Sequence, residues 1–336
     1  MPLRAPVRPR TARPRVGLVL GAGGITGIAW LAGALRALRE HGYDPADADL
    51  IAGTSAGAVA ATVLAAGHDP CDLLAFAEDP GLLREAIVAA TAGRGPEGLA
   101  LPLPGSLGLA SSSLLRGGPR GRLGALTGLL PRGVRSSDEI RGLTHAAARS
   151  GWPADRRLWL HTWDVRAGRL VTFGRDGAPA ATVADAVAAS CAVPSYYRPV
   201  TIGGRRYVDG GIRSLTNADL LAGEPLDTVL VLTPFSARER GPLLDTAVYG
   251  LARTATAART GRELDRLRAA GMHAALLTPA PADLRAMGLN PMDRGRSRRV
   301  LETAHASVAA RLDATLDGVP LPAARRRRRR HLRLAA

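Results

Sequence analysis

Lysine is missing from this chain of 336 residues, in which all 45 basic residues are arginine. The absence excludes mechanisms that need a lysine amine. Among these are Schiff-base catalysis, the phosphate-binding lysine of a P-loop, the strand lysine of protein kinases and the Tyr–Lys relay of short-chain dehydrogenases. Enzymes of those classes are therefore set aside.

Cysteine, aromatic residues and long apolar runs are also scarce. Two widely spaced cysteines, Cys71 and Cys191, make neither a disulfide framework nor a metal site, and they are typical of a reducing compartment. Aromatic residues are 4% of the chain against 46% hydrophobic residues, so we expect a core of small aliphatic side chains. No apolar run reaches the ~20 residues that span a bilayer, and no signal-peptide core is evident. We expect a cytoplasmic protein, at most peripheral at a membrane, without metal or other cofactor.

Positive charge is concentrated at the two ends of the chain. Residues 1–15 contain five arginines and residues 325–336 contain seven, with no acid in either segment. These twelve account for most of the net charge of +16, which leaves only +4 for the remainder. A nucleic-acid-binding fold is therefore not implied, and we expect no nucleic-acid partner. The run Arg325–Arg330 is either a solvated, disordered tail or a contact for an anionic membrane surface.

Two strand–turn–helix units follow one another near the start of the chain. Residues 16–20 form a short apolar run that ends in glycines, and a helical pattern follows over 28–40, with Gly42 as its left-handed cap. Residues 49–52 form a second apolar run, followed by a helical pattern over 58–66. Such repetition predicts an α/β fold with a parallel sheet and helices on its faces.

Later segments continue this pattern less regularly. Further strands are expected at 158–163, 170–173 and 228–232, and a long helix at 284–310. Between Gly93 and Gly133 the chain contains eleven glycines and five prolines, interleaved with leucine and serine. We interpret this segment as a cap-like insertion, with a disordered insertion as the alternative.

The segment Gly53-Thr54-Ser55-Ala56-Gly57 matches G-x-S-x-G directly after an apolar strand and before a helix. In that context Gly53 and Gly57 allow a sharp turn that exposes the Ser55 hydroxyl. The helix that follows supplies free N–H groups, including that of Ala56, beside an anionic intermediate. We predict that Ser55 is a nucleophile.

The glycine-rich turn from Gly21 to Gly27 has two interpretations. It is either a nucleotide-binding turn or an oxyanion hole in which the N–H groups of Gly23 and Gly24 face developing negative charge. A dinucleotide site would need an acid after the second strand to hold the ribose, and that place is occupied by the segment around Ser55. Glycines needed only for helix–strand packing are the structural alternative.

No histidine is nominated as the base for Ser55 by any local motif. Asp209 is better placed, because it ends a short apolar stretch and precedes Gly210 and Gly211. Glycines in that position let a carboxylate approach another backbone segment. A hairpin turn built on the Asp-Gly pair is the alternative.

These three motifs, in this order, resemble the patatin-like phospholipase family. Its glycine-rich oxyanion motif corresponds to residues 22–27, its nucleophile turn to 53–57 and its Asp-Gly-Gly motif to 209–211. The run Ala189-Ser190-Cys191-Ala192-Val193-Pro194, followed by Pro199-Val200, is also similar to the family's segment before the aspartate. The resemblance covers residues 16–215 in patches.

The resemblance implies a three-layer α/β/α fold with a mainly parallel central sheet. It further implies a Ser55–Asp209 dyad without histidine and hydrolysis of lipid or other ester substrates. The chain departs from the family's pattern at Thr26, where an Arg or Lys is usual, and at Ala22, which replaces a glycine. We expect the hydrolase domain to occupy residues 16–320, between an Arg/Pro-rich start (1–15) and an Arg-rich tail (321–336).

Two other classes of function compete with this prediction. One is a nucleotide-binding Rossmann-type oxidoreductase, which the missing lysines and the missing ribose acid disfavour. The other is a non-catalytic protein whose arginine-rich ends bind anionic surfaces or polymers, with binding that falls with salt and does not depend on Ser55.

Overall fold

The computed structural model describes residues 13–69, 71–72, 133–148, 151–154, 157–237 and 241–322. Within these ranges the strands are β1 (Val16–Leu20), β2 (Leu50–Gly53), β3 (Arg157–Asp164), β4 (Arg169–Phe173), β5 (Val200–Ile202), β6 (Arg205–Asp209), β7 (Thr228–Leu232) and β8 (His273–Leu277). The helices are α1 (Gly24–Glu40), α2 (Ala56–Ala65), α3 (Asp138–Ala147), α4 (Val183–Ser190), α5 (Leu243–Ala269), α6 (Pro281–Met287), α7 (Ser297–Ala309) and α8 (Leu312–Leu316).

The strands form one mixed sheet. Its order is β5-β6-β3-β2-β1-β7-β8, and β4 pairs with β3 outside this path. The pairs from β3 through β2, β1 and β7 to β8 are parallel, whereas β4, β5 and β6 join by antiparallel pairing. The central part of the sheet is therefore parallel, as the two strand–turn–helix units predict.

Alternate residues of each central strand face opposite helical layers. On β1, Leu18 and Leu20 belong to the core cluster that contains α1, α2 and α4. Val19 belongs to the cluster on the other face, with Leu264 and Leu267 of α5. Strand residues alternate between faces, so the burial of both faces requires helices on each side. The fold is thus a three-layer α/β/α sandwich, which confirms the expected class.

Most of the predicted elements are present with small shifts at their ends. The strand at Val16–Leu20 is as predicted, and Gly42 has φ +102° directly after α1. The single helix expected over 284–310 is wrong: α6 ends at Met287, Gly288 has φ +67°, and α7 begins only at Ser297. A glycine at positive φ and a proline three residues later interrupt the helical ladder there.

Several sequence-based expectations fall outside the described residues. These are residues 1–12 of the Arg/Pro-rich start, residues 93–132 of the insertion and the run Arg325–Arg330. Among the helices that are described, none is both long and apolar enough to cross a membrane.

Candidate active site

The turn after β2 holds Ser55 in a conformation that is unusual for a residue other than glycine. Its φ is 54° and its ψ is −121°, between a strand that ends at Gly53 and a helix that begins at Ala56. A side chain in this region of φ/ψ space is strained, and such strain is concentrated at functional sites. A Cβ on Gly57 would collide with the carbonyl of Leu20, so this position requires glycine. The predicted sharp turn at Ser55 is confirmed.

Ser190 at the end of α4 fixes the backbone of this turn. The N–H of Ser55 donates to the Ser190 hydroxyl oxygen at 3.0 Å. The Ser190 hydroxyl in turn donates to the carbonyl of His161 on β3 at 2.7 Å. All three groups are buried. The Ser190 hydroxyl accepts one hydrogen bond and donates another, and it therefore links the strained turn to the central sheet.

Sheet pairing brings Asp209 next to Ser55. Thr162 pairs with both Val171 of β4 and Asp209 of β6. Leu160 likewise pairs with β4, and on its other side with Gly53 of β2. A strand residue has one neighbour on each side, so β6 and β2 follow one another along the same side of β3. Asp209, at the end of β6, consequently lies just beyond the end of β2, where the Ser55 turn begins.

The segment after Asp209 is a short 3-10 turn over Gly210–Ile212. It is not the hairpin turn that the Asp-Gly pair could also have made, because the β5–β6 hairpin closes at Gly203 and Gly204, both at positive φ. A Cβ on Gly210 would lie 2.5 Å from the His161 carbonyl oxygen. Glycine at this position thus lets the turn pack closely against β3.

Burial of the Asp209 carboxyl sets its protonation behaviour. Burial raises its pKa from the ordinary 3.8 to about 6, although hydrogen bonds from the Gly211 N–H and the Ser55 hydroxyl lower it. The Gly211 N–H donates to Asp209 Oδ1 at 2.7 Å. A carboxylate with a pKa near 6 is a better proton acceptor than an ordinary aspartate and is still ionised at neutral pH.

The glycine-rich turn lies on the other side of Ser55, at the beginning of α1. Gly24 has φ +67°, in the left-handed region that favours glycine. The N–H groups of Gly23, Gly24 and Ala56 have no hydrogen-bond partner among the described residues. They belong to the first turns of α1 and α2, where helical N–H groups have no intrahelical acceptor. Backbone donors are thus available beside Ser55.

The two departures from the family's glycine pattern leave these donors in place. The N–H of Ala22 already donates to the carbonyl of Leu215 at 2.9 Å. The N–H of Thr26 donates to the carbonyl of Pro291 at 3.0 Å, and the Thr26 side chain is buried. Position 26 therefore faces the segment before α7 and holds no cation.

The two outer glycines of the turn serve packing. The N–H of Gly21 donates to the carbonyl of Leu232, the last residue of β7, at 2.8 Å. Gly27 lies against Pro234, where an added Cβ would be 3.2 Å from the proline ring. Glycine at both positions thus allows α1 to approach the carboxyl ends of the central strands closely.

Asn217 connects the nucleophile turn to the aspartate turn. It is buried and has a left-handed backbone, with φ 52°. Its side-chain amide donates to the Thr54 hydroxyl at 3.3 Å, to the Gly210 carbonyl at 3.4 Å and to the Ser214 carbonyl at 2.7 Å. One amide group thus links the residue before Ser55 with the residue after Asp209.

These groups open into one cavity of about 490 Å³. Ser55, Asp209, Gly23, Gly24 and Ala56 all contribute to its wall. The remainder of the wall is mainly apolar and includes Ile25, Ile28, Val59, Ile140, Leu143, Val193, Tyr196, Tyr197, Phe235, Pro291 and Met292. A pocket of this size and character suits a ligand with an apolar chain and a small polar group.

No described histidine side chain takes part in this arrangement. No described histidine lines the cavity. The His161 ring lies 3.0 Å from the Thr172 hydroxyl, and burial lowers its pKa to about 3. His161 is therefore neutral, and it bonds a residue of β4 and not Ser55. Among the described residues, no group of three or more His, Cys, Asp or Glu side chains could hold a metal ion.

Sequence reasoning missed two kinds of residue at this site. Ser190 was part of the resemblance but had no role, and Asn217 carried no local signal. Phe235, Pro291 and Met292 form cavity wall from segments more than 170 residues beyond Ser55. The unusual feature of Asn217 is its left-handed backbone, and φ cannot be read from the sequence.

Comparison with known proteins gives a family match and curated relatives. A family model described as patatin-like phospholipase matches residues 18–222. Uncharacterized NTE family proteins of Mycobacterium bovis and Mycobacterium tuberculosis are 30% identical over 246 residues. The match covers 73% of this chain and 56% of each relative, so the chain spans little more than half the length of these relatives.

Solved structures with lower identity also match. VipD from Legionella pneumophila is 16% identical with a TM-score of 0.45, over 90% of this chain and 68% of that chain. ExoU, in its complex with SpcU from the type III secretion system of Pseudomonas aeruginosa, is 20% identical with a TM-score of 0.41, over 91% and 52%. The match of the family model extends over more than half of the chain and includes all three motifs. The chain belongs to the patatin-like phospholipase family.

Proposed function

We propose that this protein is a serine acyl hydrolase that cleaves ester bonds of lipids through a Ser55–Asp209 dyad. One observation carries the proposal: a serine on a strained strand–helix turn and a buried aspartate line the same apolar cavity, beside unpaired backbone N–H groups. Family membership supports a lipid hydrolase in general terms. The domain that we propose for this activity runs from residue 16 to 320, with the insertion at about 93–133 inside it.

In the first half of the reaction, the Ser55 hydroxyl attacks the ester carbonyl carbon while Asp209 accepts its proton. The carbonyl oxygen becomes an oxyanion, which the N–H groups of Gly23, Gly24 and Ala56 stabilise. The leaving alcohol then takes the proton from Asp209. An acyl group remains on Ser55, with its chain in the apolar cavity.

In the second half, a water molecule gives its proton to Asp209 and attacks the acyl carbonyl. The same N–H groups stabilise the second tetrahedral intermediate. Its collapse releases the fatty acid, and the proton on Asp209 returns to Ser55 Oγ. The aspartate thus serves as base and acid in turn, and this use matches a pKa of about 6.

Labelling with a fluorophosphonate, followed by peptide mapping, tests the nucleophile directly. We expect the modification on Ser55 alone. The variant Ser55→Ala should lose labelling and lower ester hydrolysis on the order of 10³-fold or more, because no other group replaces the attacking oxygen. Thr62→Val, which removes a buried hydroxyl from α2 that contacts Ala58, is the matched control. Normal hydrolysis by Ser55→Ala would disprove the proposal.

Two further parts of the proposal concern location. We propose that the run Arg325–Arg330 contacts anionic membrane surfaces, in keeping with a lipid substrate. We also propose a cytoplasmic location, which the two free cysteines, Cys71 and Cys191, support.

A further inference from the structure

Large apolar side chains that are exposed gather in two places on the described surface. Val134, Val193 and Leu289 are the first group. The second group, called here the α5 stripe, consists of Leu243, Leu244, Val248 and Leu251, which are between 58% and 92% exposed. Single exposed apolar residues need no explanation, but clusters mark interaction surfaces.

The first group borders the mouth of the cavity. Val193 is part of the cavity wall and is itself exposed. The carbonyl of Val134 accepts from Arg198 Nε at 3.2 Å, and the next residue, Arg135, bonds the backbone of Tyr196 in the wall. Leu289 precedes Pro291 and Met292 of the wall by two and three residues.

The α5 stripe is attached to the same mouth through the opposite face of its helix. Tyr249 packs edge-on against Phe235 of the cavity wall, with ring centroids 5.7 Å apart. The Tyr249 hydroxyl donates to the carbonyl of Leu289 at 2.7 Å. Arg253 donates to the Phe235 carbonyl at 2.7 Å and lies over its ring. The first turns of α5 are therefore fixed beside the cavity wall, and their apolar residues are exposed to solvent.

Helical spacing makes the stripe continuous. Leu244, Val248 and Leu251 are separated by four and three residues, so they lie on one side of α5. The same side continues through exposed alanines to Arg262, which is also exposed. The acid of this half of the helix, Asp245, is buried and paired with Arg253 at 3.0 Å. From Leu244 to Arg262 this face carries no exposed acid, and the next acid along it, Asp265, is paired with Arg268 at 3.2 Å. An apolar face of this kind complements a membrane surface with anionic headgroups.

We infer that the α5 stripe docks on a lipid bilayer and holds the cavity mouth against it. The inference rests on the proposed lipid hydrolysis for its biological sense, but the docking can be measured without catalysis. Docking would let an acyl chain pass from the bilayer into the cavity without exposure to water. Such exposure has a high free-energy cost for an apolar chain. A second copy of the chain is the other occupant that such a face could take.

The test compares two variants that add the same charge. Leu244→Asp/Leu251→Asp changes two exposed residues of the stripe, and Ala306→Asp/Ala309→Asp changes two exposed alanines of α7. Both are made in the Ser55→Ala chain, so that no lipid is consumed. Flotation uses vesicles of phosphatidylcholine and phosphatidylglycerol in equal parts, at about 1 M salt, where the Debye length of about 3 Å suppresses the arginine run.

We expect the stripe variant to lose vesicle affinity on the order of 10-fold or more, and the alanine variant to bind as the parent does. In the active chain, the stripe variant should hydrolyse vesicle lipid more slowly and a short soluble ester at the parental rate. Equal vesicle binding by all three chains overturns the inference. The inference is also overturned if light scattering shows that the parent is a dimer and the stripe variant a monomer, while both bind vesicles equally. Absence of hydrolysis in every active chain would refute the proposed function and leave the binding result standing.

Discussion

The Asp209 carboxyl is deeply buried, and the proposed mechanism requires it to be ionised. Among the described residues its hydrogen bonds come from the Gly211 N–H and the Ser55 hydroxyl, and neither donor is charged. Its pKa is therefore raised to about 6 by burial. Ionised Asp209 thus lowers the stability of the folded chain at neutral pH, and the same raised pKa makes Asp209 a stronger base.

This pKa predicts the pH dependence of the reaction. Asp209 accepts a proton only when it is ionised, so kcat/KM should rise with pH and level off above about pH 6. Asp209→Asn should be inactive at every pH, because an amide cannot accept the proton. Rates measured with a soluble ester from pH 4 to pH 8 test this expectation. A parental profile that is flat through pH 6 would contradict it.

The raised pKa of Asp209 also predicts that the stability of the fold decreases as the pH rises, whereas the activity increases. The folded chain holds the Asp209 proton more tightly than the unfolded chain, since the pKa is about 6 against an ordinary 3.8. Its stabilising contribution is present below about pH 4 and is lost as the pH rises through 6. Asp209→Asn should therefore be as stable as the parent near pH 4 and more stable at pH 8, by on the order of 3 kcal/mol. Urea unfolding at the two pH values measures the difference, and a less stable variant at pH 8 would show that burial is not the cause.

Ser190 predicts an effect on the geometry of the nucleophile. Ser190→Ala leaves the buried Ser55 N–H and the His161 carbonyl without this hydroxyl, at a cost of about 1–3 kcal/mol of unfolding free energy. Because the Ser55 turn is strained, we expect kcat to fall by about 10-fold with little change in KM. Thr62→Val again serves as the control for loss of a buried hydroxyl. A variant that loses stability but reacts with a fluorophosphonate at the parental rate would limit Ser190 to a structural role.

At the element scale, the beginning of α1 lies under the segment that precedes α7. A Cβ on Gly24 would be 2.7 Å from the Pro291 carbonyl oxygen, so this glycine meets protein backbone as well as the cavity. The predicted role of Gly24 as an oxyanion donor therefore explains only part of the requirement for glycine at this position. The loop at Pro291 also receives the N–H of Thr26. The glycine-rich turn is thus held against this loop by a backbone hydrogen bond.

A comparison of Gly24→Ala with Gly42→Ala distinguishes the loss of an oxyanion donor from the effect of backbone strain alone. Both glycines have positive φ, but an added Cβ on Gly42 has no neighbour within 4 Å. Each variant should lose about 1–2 kcal/mol of stability from the left-handed backbone, and Gly24→Ala should lose more because its Cβ would meet the Pro291 carbonyl. Only Gly24→Ala should also lower kcat, by about 10²–10³-fold, because its N–H is displaced from the oxyanion position. Equal kcat values for the two variants would place the oxyanion donors elsewhere.

At the scale of the whole molecule, charge and apolar surface predict two separable contributions to membrane binding. Each arginine near an anionic leaflet contributes about 1 kcal/mol, so the run Arg325–Arg330 acts mainly at low salt. The α5 stripe acts through apolar contact, which salt does not screen. Deletion of residues 323–336 should therefore weaken binding to anionic vesicles at low salt and leave hydrolysis of a soluble ester unchanged. Undiminished binding of the shortened chain at low salt would show that the tail is only a solvated charge run.

Local sequence determined the elements whose signals are contained in a few residues. The strand–glycine–helix units at Gly21 and Ser55 follow from apolar runs that stop at glycines, and their positions agree with the structure to within a few residues. The break between α6 and α7 was missed because periodic apolar residues on both sides of Gly288 resemble one helix. The long α5 was also missed, because its first half exposes the residues that a helical pattern would place inside.

The sequence by itself determined which residue types could do the chemistry: no lysine amine, one serine at a sharp turn and one aspartate before two glycines. The tertiary structure decided that these groups meet. Asp209 reaches Ser55 because β6 continues along β3 where β2 ends. This register depends on strand pairing between residues 107 positions apart for β2 and β3, and 43–47 positions apart for β3 and β6. The same is true of the raised pKa of Asp209, the links through Ser190 and Asn217 and the cavity wall at Phe235 and Pro291. Each depends on contacts that no local pattern encodes, because burial and hydrogen bonding at a site are set by segments that are distant in sequence.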